Sequence, residues 1–375
     1  MKLLIEALDV LLFRDGRPFN AGEDHVALSQ FPPPPSVIQG MIRTTYLVQH
    51  PDQFDDYISL KKCGAWDDIG DPGAETLPDG KWIKGPFLAR EGNGDCELFY
   101  PIPADVRRAS SYALARPADE KMVPEGFASS LPADLKPLMV TDQPAEYVQG
   151  YLDGEALARY LMGQSPEKVI AADELVKTDF RVGVGIQSDK RLAKDGMLYS
   201  AHFSRPAEGV GLAVEVEGIP LKEDGLSRLG GEARGACYRT VDWKTPEPPE
   251  GLAEKIRQYG RFSLYLLTPG LFSASNGEYG WRPDWTQAGL PTNAKLSGTA
   301  LPPPVDIGGW KLARGGPKPT RSGVAAGSVY FLNCEAPLDE EAVKSLFETR
   351  WFQALPGPCS QIGMGITLIG GWDYV

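Results

Sequence analysis

The stretch from Leu11 to Gln49 constrains the fold of this chain more than any other part of its sequence. It continues the largely apolar run Lys2–Phe13, which predicts a central strand covered on both faces. The polar loop Arg14–Phe31 follows, and Pro32–Pro35 then form a stiff connector to the next element. The stretch therefore predicts a buried strand, a basic loop and a fixed approach to a helix.

A helix is expected directly after the four prolines. Ser36 is the predicted N-cap, and Gln39 three residues later completes a capping box. Apolar residues fall on one broad face, while Gln39 and Arg43 fall on the opposite one. Pro51 is expected to end the helix.

Length and composition indicate two domains. A chain of 375 residues exceeds the size at which single cores stop growing, and the Pro-rich segment Thr245–Pro249 is a candidate linker. We therefore expect an N-terminal domain of residues 1–245 with insertions and a C-terminal domain of residues 246–375. The 42 Gly and 33 Pro favour strands joined by long loops.

Local patterns predict strands interleaved with a few helices. Helical patterns occupy Gly154–Met162, Pro166–Leu175 (with Ser165 as cap), Leu252–Tyr259 and Asp339–Ala354. Strand patterns occupy Phe180–Ile186, Gly196–Ser204, Val210–Val216, Phe262–Thr268, Ser328–Asn333 and Gly363–Tyr374. Because regular βαβ spacing is missing, an α+β class with antiparallel sheets is expected.

Composition excludes several classes of protein. No stretch approaches the roughly 18 apolar residues of a membrane span, and Glu6 and Asp9 interrupt the apolar start, so a cytoplasmic protein is expected. The five cysteines and three histidines are scattered, so we expect neither a metal nor a cofactor. The net charge of −12 argues against a uniformly basic nucleic-acid coat. It still permits a local basic groove, because screening limits charge effects to about 10 Å.

The N-terminal loop contains candidate phosphate and catalytic residues. Arg14 and Arg17 lie beside a predicted helix start, where guanidinium and backbone N–H donors suit phosphate; local pairing of Arg14 with Asp15 is the alternative. His25 has the chemistry of a general acid or base in RNA cleavage, or of a contact to an RNA base. No partner histidine accompanies it.

Two further segments combine glycine with positive charge. Residues 177–205 contain six Lys or Arg against three Asp, with Gly183 and Gly185 inside a strand. This excess fits a phosphodiester track, while a glycine bulge with ordinary surface charge is the alternative. A Gly/Pro-rich loop contains Lys311, Arg314, Lys318 and Arg321 with no acidic residue between them.

Several of these motifs, in this order, resemble the RAMP superfamily of CRISPR proteins, and most of all the third-subunit family of Cmr (type III-B) effector complexes. The resembling segments are Leu12–Phe19, Gly22, Phe31–Ser36 with Gly40 and Arg43, Gly85–Leu88, Tyr100–Asp105, Arg181–Ile186, Leu229–Glu232, Ala326–Tyr330 and Gly363–Gly365.

The resemblance implies two ferredoxin-like (RRM-like) domains with antiparallel sheets, long insertions and glycine-rich loops. It also implies a non-catalytic subunit that binds the 5′ tag of the CRISPR RNA. The implied protein partners are the large polymerase/cyclase-like subunit and the backbone RAMP subunits.

An RNA-binding subunit is the leading hypothesis from the sequence. The residues expected to contact RNA are Arg14, Arg17, His25, Phe31, Arg43, Arg181, Gly183, Gly185, Lys190, Arg191, Arg314, Lys318, Arg321, Gly363 and Gly365. The first alternative is a RAMP-type, metal-independent endoribonuclease that processes CRISPR RNA, with His25 as general acid or base. A purely protein-interacting scaffold is the second.

Overall fold

The computed structural model describes residues 1–14, 26–92, 95–123, 125–140, 145–186, 192–273, 279–311, 315–334 and 336–374. Contacts divide them into two compact units. Unit 1 comprises Met1–Cys96, Ala172–Trp243 and Asp306–Arg321; unit 2 comprises Glu97–Ala171, Lys244–Val305 and Ser322–Val375. Each unit is thus discontinuous in sequence, and the boundary at residues 245/246 stays a prediction.

The α-helices are short apart from the first and the last. They are α1 (Pro35–Gln49), α2 (Phe54–Ile58), α3 (Ala65–Ile69), α4 (Gly154–Leu161), α5 (Ala172–Leu175), α6 (Leu252–Tyr259) and α7 (Glu340–Arg350).

Strands make up most of the remaining regular structure. The first fifteen are β1 (Lys2–Ala7), β2 (Val26–Ala27), β3 (Trp82–Glu91), β4 (Cys96–Pro101), β5 (Val106–Arg108), β6 (Tyr112–Leu114), β7 (Arg116–Pro117), β8 (Leu138–Met139), β9 (Glu146–Tyr147), β10 (Tyr151–Leu152), β11 (Val176–Ile186), β12 (Ala193–Pro206), β13 (Val210–Glu217), β14 (Asp224–Arg228) and β15 (Gly235–Thr240). The others are β16 (Arg261–Leu266), β17 (Phe272–Ser273), β18 (Tyr279–Gly280), β19 (Ala294–Ala300), β20 (Val305–Ile307), β21 (Trp310–Lys311), β22 (Gly316–Pro317), β23 (Arg321–Gly323), β24 (Val329–Cys334), β25 (Gln353–Ala354) and β26 (Ile366–Gly371).

An antiparallel sheet organises unit 1, with strands in the order β3-β13-β1-β15-β14. In β1, Leu3 pairs with Val214 on one side and with Thr240 on the other. Leu3, Leu4 and Ile5 are almost completely buried, as expected for a central apolar strand. Helix α1 packs against β3 and β14, and the Thr45 hydroxyl donates to Ser227 Oγ of β14 at 2.8 Å.

Helix α1 begins at Pro35 with Pro34 as its N-cap, two residues before the predicted N-cap Ser36. Proline suits the first helical position because its missing N–H is not needed there. Ser36 therefore lies inside the helix, no side chain caps its N-terminus, and the predicted capping box is wrong. The helix ends at Gln49, before Pro51, as predicted.

A long β-hairpin forms a second sheet of unit 1. Strands β11 and β12 pair antiparallel from Val176/Pro206 to Ile186/Ala193, and the two-residue strand β2 pairs with β12 in parallel. The run Lys2–Phe13 serves both sheets, because the chain bends at Leu8 and Asp9 and Leu11 then pairs with Ser204. The prediction of one continuous strand is therefore wrong, although Val10 and Leu12 are buried as expected.

Unit 2 contains another antiparallel sheet, in the order β19-β24-β16-β26-β25. Helices α4, α6 and α7 all pack against β26. Tyr265, Tyr330, Phe331 and Trp372 are completely buried, and the Trp372 indole donates to the Phe262 and Leu332 carbonyls at 3.0 Å each. The α+β class with mainly antiparallel sheets is thus confirmed.

The predicted helix over Pro166–Leu175 is mostly wrong. Only Ala172–Leu175 are helical. Ile170 instead exchanges both backbone hydrogen bonds with Tyr151, at 2.9 Å each. This tertiary pairing holds the backbone extended and overrides the local helical pattern.

Candidate nucleic-acid interface

Three sequence motifs meet at the base of the β11–β12 hairpin in unit 1. The Leu11 amide donates to the Ser204 carbonyl at 2.9 Å, and the Gly231 amide donates to the Leu12 carbonyl at 2.7 Å. Gly230 has φ +80°, and a Cβ there would lie 2.6 Å from the Leu12 carbonyl oxygen, so only glycine fits this contact. The N-terminal motif, the hairpin and the Leu229–Glu232 motif thus form one surface.

Three arginines surround the Asp9 carboxylate on this surface. Nitrogen–oxygen distances to Asp9 are 3.6 Å from Arg181, 3.6 Å from Arg205 and 3.7 Å from Arg234. Arg181 also donates to Asp179 at 2.9 Å and Arg205 donates to it at 3.2 Å, while Arg234 pairs with Glu232 at 2.8 Å. We call Arg181, Arg205 and Arg234 the arginine cluster.

Two members of the arginine cluster, Arg181 and Arg234, stack on the ring of Phe203. Phe203 is only 4% exposed, and its ring centroid lies 5.0 Å from Arg181 Cζ and 4.7 Å from Arg234 Cζ. Guanidinium groups stack favourably on such rings, which fixes their planes without using all their N–H donors. The arrangement holds positive charge at the protein surface.

Acidic neighbours balance the charge of the cluster in this state. Hydrogen bonds donated by Arg181 and Arg205 lower the pKa of Asp179 to about 2, and the bond that Asp179 accepts from Arg181 raises the pKa of Arg181. Arg205 and Asp9 are about half exposed. Exposed ion pairs of this kind contribute little free energy, so an incoming phosphate can replace a carboxylate at modest cost.

Tyr199 lies across Gly183 on the same face of the hairpin. Gly183 and Tyr199 are paired in register, and a Cβ on Gly183 would lie 2.2 Å from Tyr199 Cζ. The glycine therefore makes room for a tyrosine that remains 39% exposed. Arg181 comes two pairs further along, opposite Ala201, and therefore lies on the same face. An exposed aromatic ring beside an arginine is a typical platform for an unpaired base.

The opposite face of the hairpin is apolar. Phe180 and Val182 are each 58% exposed, and Val184 is 44% exposed. The Phe180 ring meets the His202 ring edge-on at 5.0 Å between centroids. The two faces of one hairpin therefore differ in chemistry.

Of the predicted residues in the N-terminal loop, the structure describes two. Arg14 is exposed and forms a bridge with Ser29, next to the hairpin base. Phe31 is half-buried, with its ring 5.7 Å from that of Phe13. Arg17 and His25 lie outside the described residues.

The predicted hairpin residues are also described only in part. Gly185 lies in β11 together with Arg181 and Gly183. Lys190 and Arg191 lie outside the described residues, as does Arg314 of the later basic loop.

Arg43 has a structural environment that its sequence pattern did not indicate. Its Nε donates to the Ile69 carbonyl and its Nη1 to the Ala74 carbonyl, both at 2.9 Å. Arg43 is half-buried, and this desolvation lowers its pKa. The expected phosphate contact does not fit this position, because the guanidinium holds the segment between these two carbonyls.

Arg321 is likewise engaged within unit 1. It forms a two-pronged ion pair with Glu75, at 2.7 and 3.0 Å, and only 13% of its side chain is exposed. Lys318 of the same basic loop is half-buried, and its amide donates to the Gly309 carbonyl at 2.8 Å. Trp310 directly follows Gly309 and is 61% exposed. It is an aromatic residue of this loop that the sequence analysis did not single out.

Gly363 and Gly365 are buried in unit 2. They form the turn before β26 with φ of +99° and +77°. Thr268 Oγ1 donates to the Gly363 carbonyl at 2.6 Å, and the Gly365 amide donates to the Pro269 carbonyl at 2.8 Å. Backbone geometry and burial explain these glycines, and a direct RNA contact does not fit them.

The residues expected from the sequence to contact RNA did not include Tyr199, Arg205, Arg234 or Asp9. The signal for Tyr199 was available, since a glycine in one strand of a hairpin often faces an aromatic residue in the other. Finding it required the register of the hairpin. Arg234 and Asp9 are brought together only by the tertiary fold.

Two negative observations concern the described residues only. Within them, no helix is long and apolar enough to cross a membrane. The same residues contain no group of three or more His, Cys, Asp or Glu side chains arranged to hold a metal ion.

The fold and this surface define an α+β protein with a candidate interface for a single-stranded polyanion. A family model described as CRISPR-associated protein (Cas_Cmr3) matches residues 3–372, nearly the whole chain. The protein therefore belongs to this family of CRISPR-associated proteins, and the expected resemblance to a Cmr protein family is confirmed. No curated protein matches the sequence significantly.

Solved structures with a similar chain come from CRISPR complexes. One is a chain of the type III-B Cmr-beta bound to cognate target RNA and AMPPnP, with 17% identity, a TM-score of 0.48, and coverage of 88% of this chain and 86% of that chain. A second is the type III-B Cmr-beta bound to cognate target RNA, with 17% identity, a TM-score of 0.46 and the same coverage. The third is a Csm3-Csm4 subcomplex of a type III-A interference complex, with 12% identity, a TM-score of 0.35, and coverage of 90% and 94%.

Proposed function

We propose that this protein is a non-catalytic RNA-binding subunit of a type III-B (Cmr) RNA-guided interference complex in CRISPR defence. Its proposed ligand is the 5′ tag of the CRISPR RNA. One observation carries the proposal: Tyr199 lies over Gly183, directly beside the arginine cluster, on one face of the hairpin. This combination offers both requirements for single-stranded RNA, an aromatic surface for a base and guanidinium groups for phosphates.

The proposed tag site combines the described surface with neighbouring predicted residues. Arg14 and Phe31 lie on the segments next to the hairpin base. The other residues retained in the proposal are Arg17, His25, Gly185, Lys190, Arg191, Arg314 and Lys318. Arg43, Arg321, Gly363 and Gly365 are left out because intramolecular contacts explain their positions.

Strand order supports a ferredoxin-like core in each unit. Four strands of unit 1, β1, β3, β13 and β15, lie with the first beside the third, the second beyond the third, and the fourth beyond the first. Strands β16, β19, β24 and β26 of unit 2 repeat this order. The order is that of the ferredoxin-like βαββαβ motif, with α1 after the first strand in unit 1 and α7 before the fourth strand in unit 2.

The same proposal includes location and protein partners. We infer a cytoplasmic subunit that contacts the large polymerase/cyclase-like subunit and the backbone RAMP subunits. The net charge of −12 supports a narrow RNA groove, with acidic surfaces left for protein contacts.

Binding of a short single-stranded RNA with the CRISPR 5′ tag tests the proposal. We expect Arg181→Gln/Arg205→Gln to raise the Kd at least about tenfold, because two charge-assisted contacts to phosphate are lost. Tyr199→Ala should weaken binding similarly, while Tyr199→Phe should retain it. Lys61→Gln, which removes an exposed charge paired with Asp56, is the matched control. Unchanged Kd values in both Arg181→Gln/Arg205→Gln and Tyr199→Ala would contradict this site.

Incubation of the pure protein with CRISPR repeat RNA tests the non-catalytic role. The RNA should stay intact with and without EDTA. Metal-independent cleavage that disappears in His25→Ala would replace the proposed role with that of an endoribonuclease.

A further inference from the structure

A cleft in unit 2 contains none of the residues that are expected or proposed to contact the RNA tag. It has a volume of about 490 Å³ and is lined by Arg108, Tyr112, Arg159 and several hydroxyl groups, among them Ser111 and Ser165. This volume falls within the roughly 300–1,000 Å³ typical of small-molecule sites. Two guanidinium groups, an aromatic ring and hydroxyls in one cleft are a donor set for a phosphate joined to a planar group.

Arg159 is held by a weak contact inside this cleft. Its Nη2 lies 3.1 Å from Glu167 Oε1, but the Glu167 side chain is 74% exposed. Its Nε is buried and makes no hydrogen bond within the described part of the chain. The Arg159 side chain is nevertheless 39% exposed, so the accessible part of its guanidinium can donate to a phosphate oxygen. Among the described residues, Glu167 is the one acidic side chain that lines the cleft, and a bound anion would compete with it for Arg159.

Arg108 and Tyr112 lie together at the other wall. They face each other in the β5–β6 register, and Arg108 Cζ lies 6.0 Å from the centroid of the Tyr112 ring. The third strand of this small sheet, β9, contains Tyr147, which is 77% exposed with Arg107 Cζ 3.9 Å from its ring centroid. Successive residues of a strand point to opposite faces, so this second pair lies on the other face of the sheet, and of these four residues only Arg108 and Tyr112 line the cleft.

A buried network fixes the two walls relative to each other. Asp105, just before β5, accepts a hydrogen bond from Tyr160 of α4 at 2.8 Å and is paired with Arg116 of β7. Asp105 is fully buried and Arg116 nearly so. Arg108 follows Asp105 by three residues, and Arg159 precedes Tyr160 on α4. The cleft is therefore built on a rigid base, and little order must be gained on binding.

We infer that this cleft binds a nucleotide, with Arg108 and Arg159 on its phosphate and Tyr112 against its base. The site is separate in sequence from the proposed tag surface of unit 1. The nucleotide has two possible sources of the same chemistry, a free 5′-mononucleotide or one unit of a single-stranded RNA.

Titration of the full-length protein with 5′-AMP, adenosine and inorganic phosphate, followed by calorimetry, tests the inference. 5′-AMP should bind more tightly than either fragment, because both walls are used. Arg159→Gln and Arg108→Gln should each weaken 5′-AMP binding about tenfold. Tyr112→Ala should weaken 5′-AMP binding similarly, whereas Tyr112→Phe, which keeps the aromatic ring, should retain native affinity. Arg257→Gln, which removes an exposed unit 2 arginine paired with Glu254, should leave binding unchanged.

A second titration uses a short RNA without the tag sequence and the variant Arg181→Gln/Arg205→Gln, in which the proposed tag site of unit 1 is impaired. It distinguishes a free nucleotide from an RNA chain as the ligand, and the unit 2 cleft from the unit 1 surface as the site. Arg159-dependent binding of 5′-AMP supports the free nucleotide, and Arg159-dependent binding of the RNA alone supports the chain. Either outcome stands whether or not the tag surface of unit 1 is correct. If neither 5′-AMP nor the RNA responds to Arg108→Gln and Arg159→Gln in folded variants, the inference is overturned.

Discussion

At the scale of single residues, Asp179 reports directly on the arginine cluster. Its pKa of about 2 lies below the roughly 3.9 of an unperturbed aspartate because Arg181 and Arg205 donate to the carboxylate. A lowered pKa in the folded state stabilises the fold above about pH 4. That stabilisation is lost as the pH falls from about 4 towards 2.

The Asp179 pKa is the first prediction. In an NMR titration of the side-chain carboxyl carbon, Asp179 should titrate near pH 2 in the native protein. In Arg181→Gln/Arg205→Gln it should titrate close to pH 4. A native value already near 4 would show that the cluster does not hold this carboxylate.

Arg43 shows how an arginine of plausible sequence context can serve the fold alone. Its donors meet the Ile69 and Ala74 carbonyls. We predict that Arg43→Ala lowers the free energy of unfolding by about 2–3 kcal/mol, because it removes these hydrogen bonds and leaves the carbonyls without this donor. RNA affinity of the folded fraction should stay unchanged. Urea denaturation with a parallel binding titration measures both, and reduced RNA affinity without lost stability would return Arg43 to the interface.

At the scale of elements, the β11–β12 hairpin depends on one glycine–tyrosine pair. A Cβ on Gly183 would lie 2.2 Å from Tyr199 Cζ, so Gly183→Ala must displace the ring. We predict a loss of about 1–3 kcal/mol in unfolding free energy and weaker RNA binding. In the Tyr199→Ala background the same substitution should cost much less, because its clash is gone. Equal costs in both backgrounds would mean that the ring does not lie across Gly183.

Elements with strong local signals could be predicted from the sequence. Apart from its first residue, strand β16 lies within the predicted apolar run Phe262–Thr268. Helix α7 starts directly after its predicted first residue, Asp339. The Asp339 side chain caps the helix by accepting a hydrogen bond from the Ala342 amide at 2.7 Å. Where tertiary contacts decide, prediction failed. Ile170 leaves a helical pattern to pair with Tyr151, and the bend at Leu8 and Asp9 divides one apolar run between two sheets.

The candidate site was predictable only in outline for similar physical reasons. Arg181 and Gly183 are found by local charge and glycine spacing, and both lie on the proposed surface. The partners of Arg43 are backbone carbonyls, which every residue has, so the sequence contains no signal for them. Arg234 reaches Asp9 only because the Leu229–Glu232 motif folds against Leu12.

At the scale of the whole molecule, the proposed RNA site is a local arginine cluster on a chain with a net charge of −12. Three arginines on phosphates predict a plot of log K against log salt with a slope of about −2, at about 0.7 per contact for single strands. Arg181→Gln should make the slope shallower by about 0.7. Titrations between low and physiological salt measure both values. A slope near zero would exclude phosphate contacts as the source of affinity.

Photocrosslinking tests the central claim, RNA binding on the Tyr199 face of the hairpin, most directly. Single-stranded tag RNA with 4-thiouridine at successive positions is bound to the full-length protein and irradiated, and crosslinked peptides are identified by mass spectrometry. We expect at least one position to crosslink to the peptide containing Tyr199, and Tyr199→Ala to abolish this product. Crosslinks confined to other peptides, at a yield unchanged in Tyr199→Ala, would contradict it.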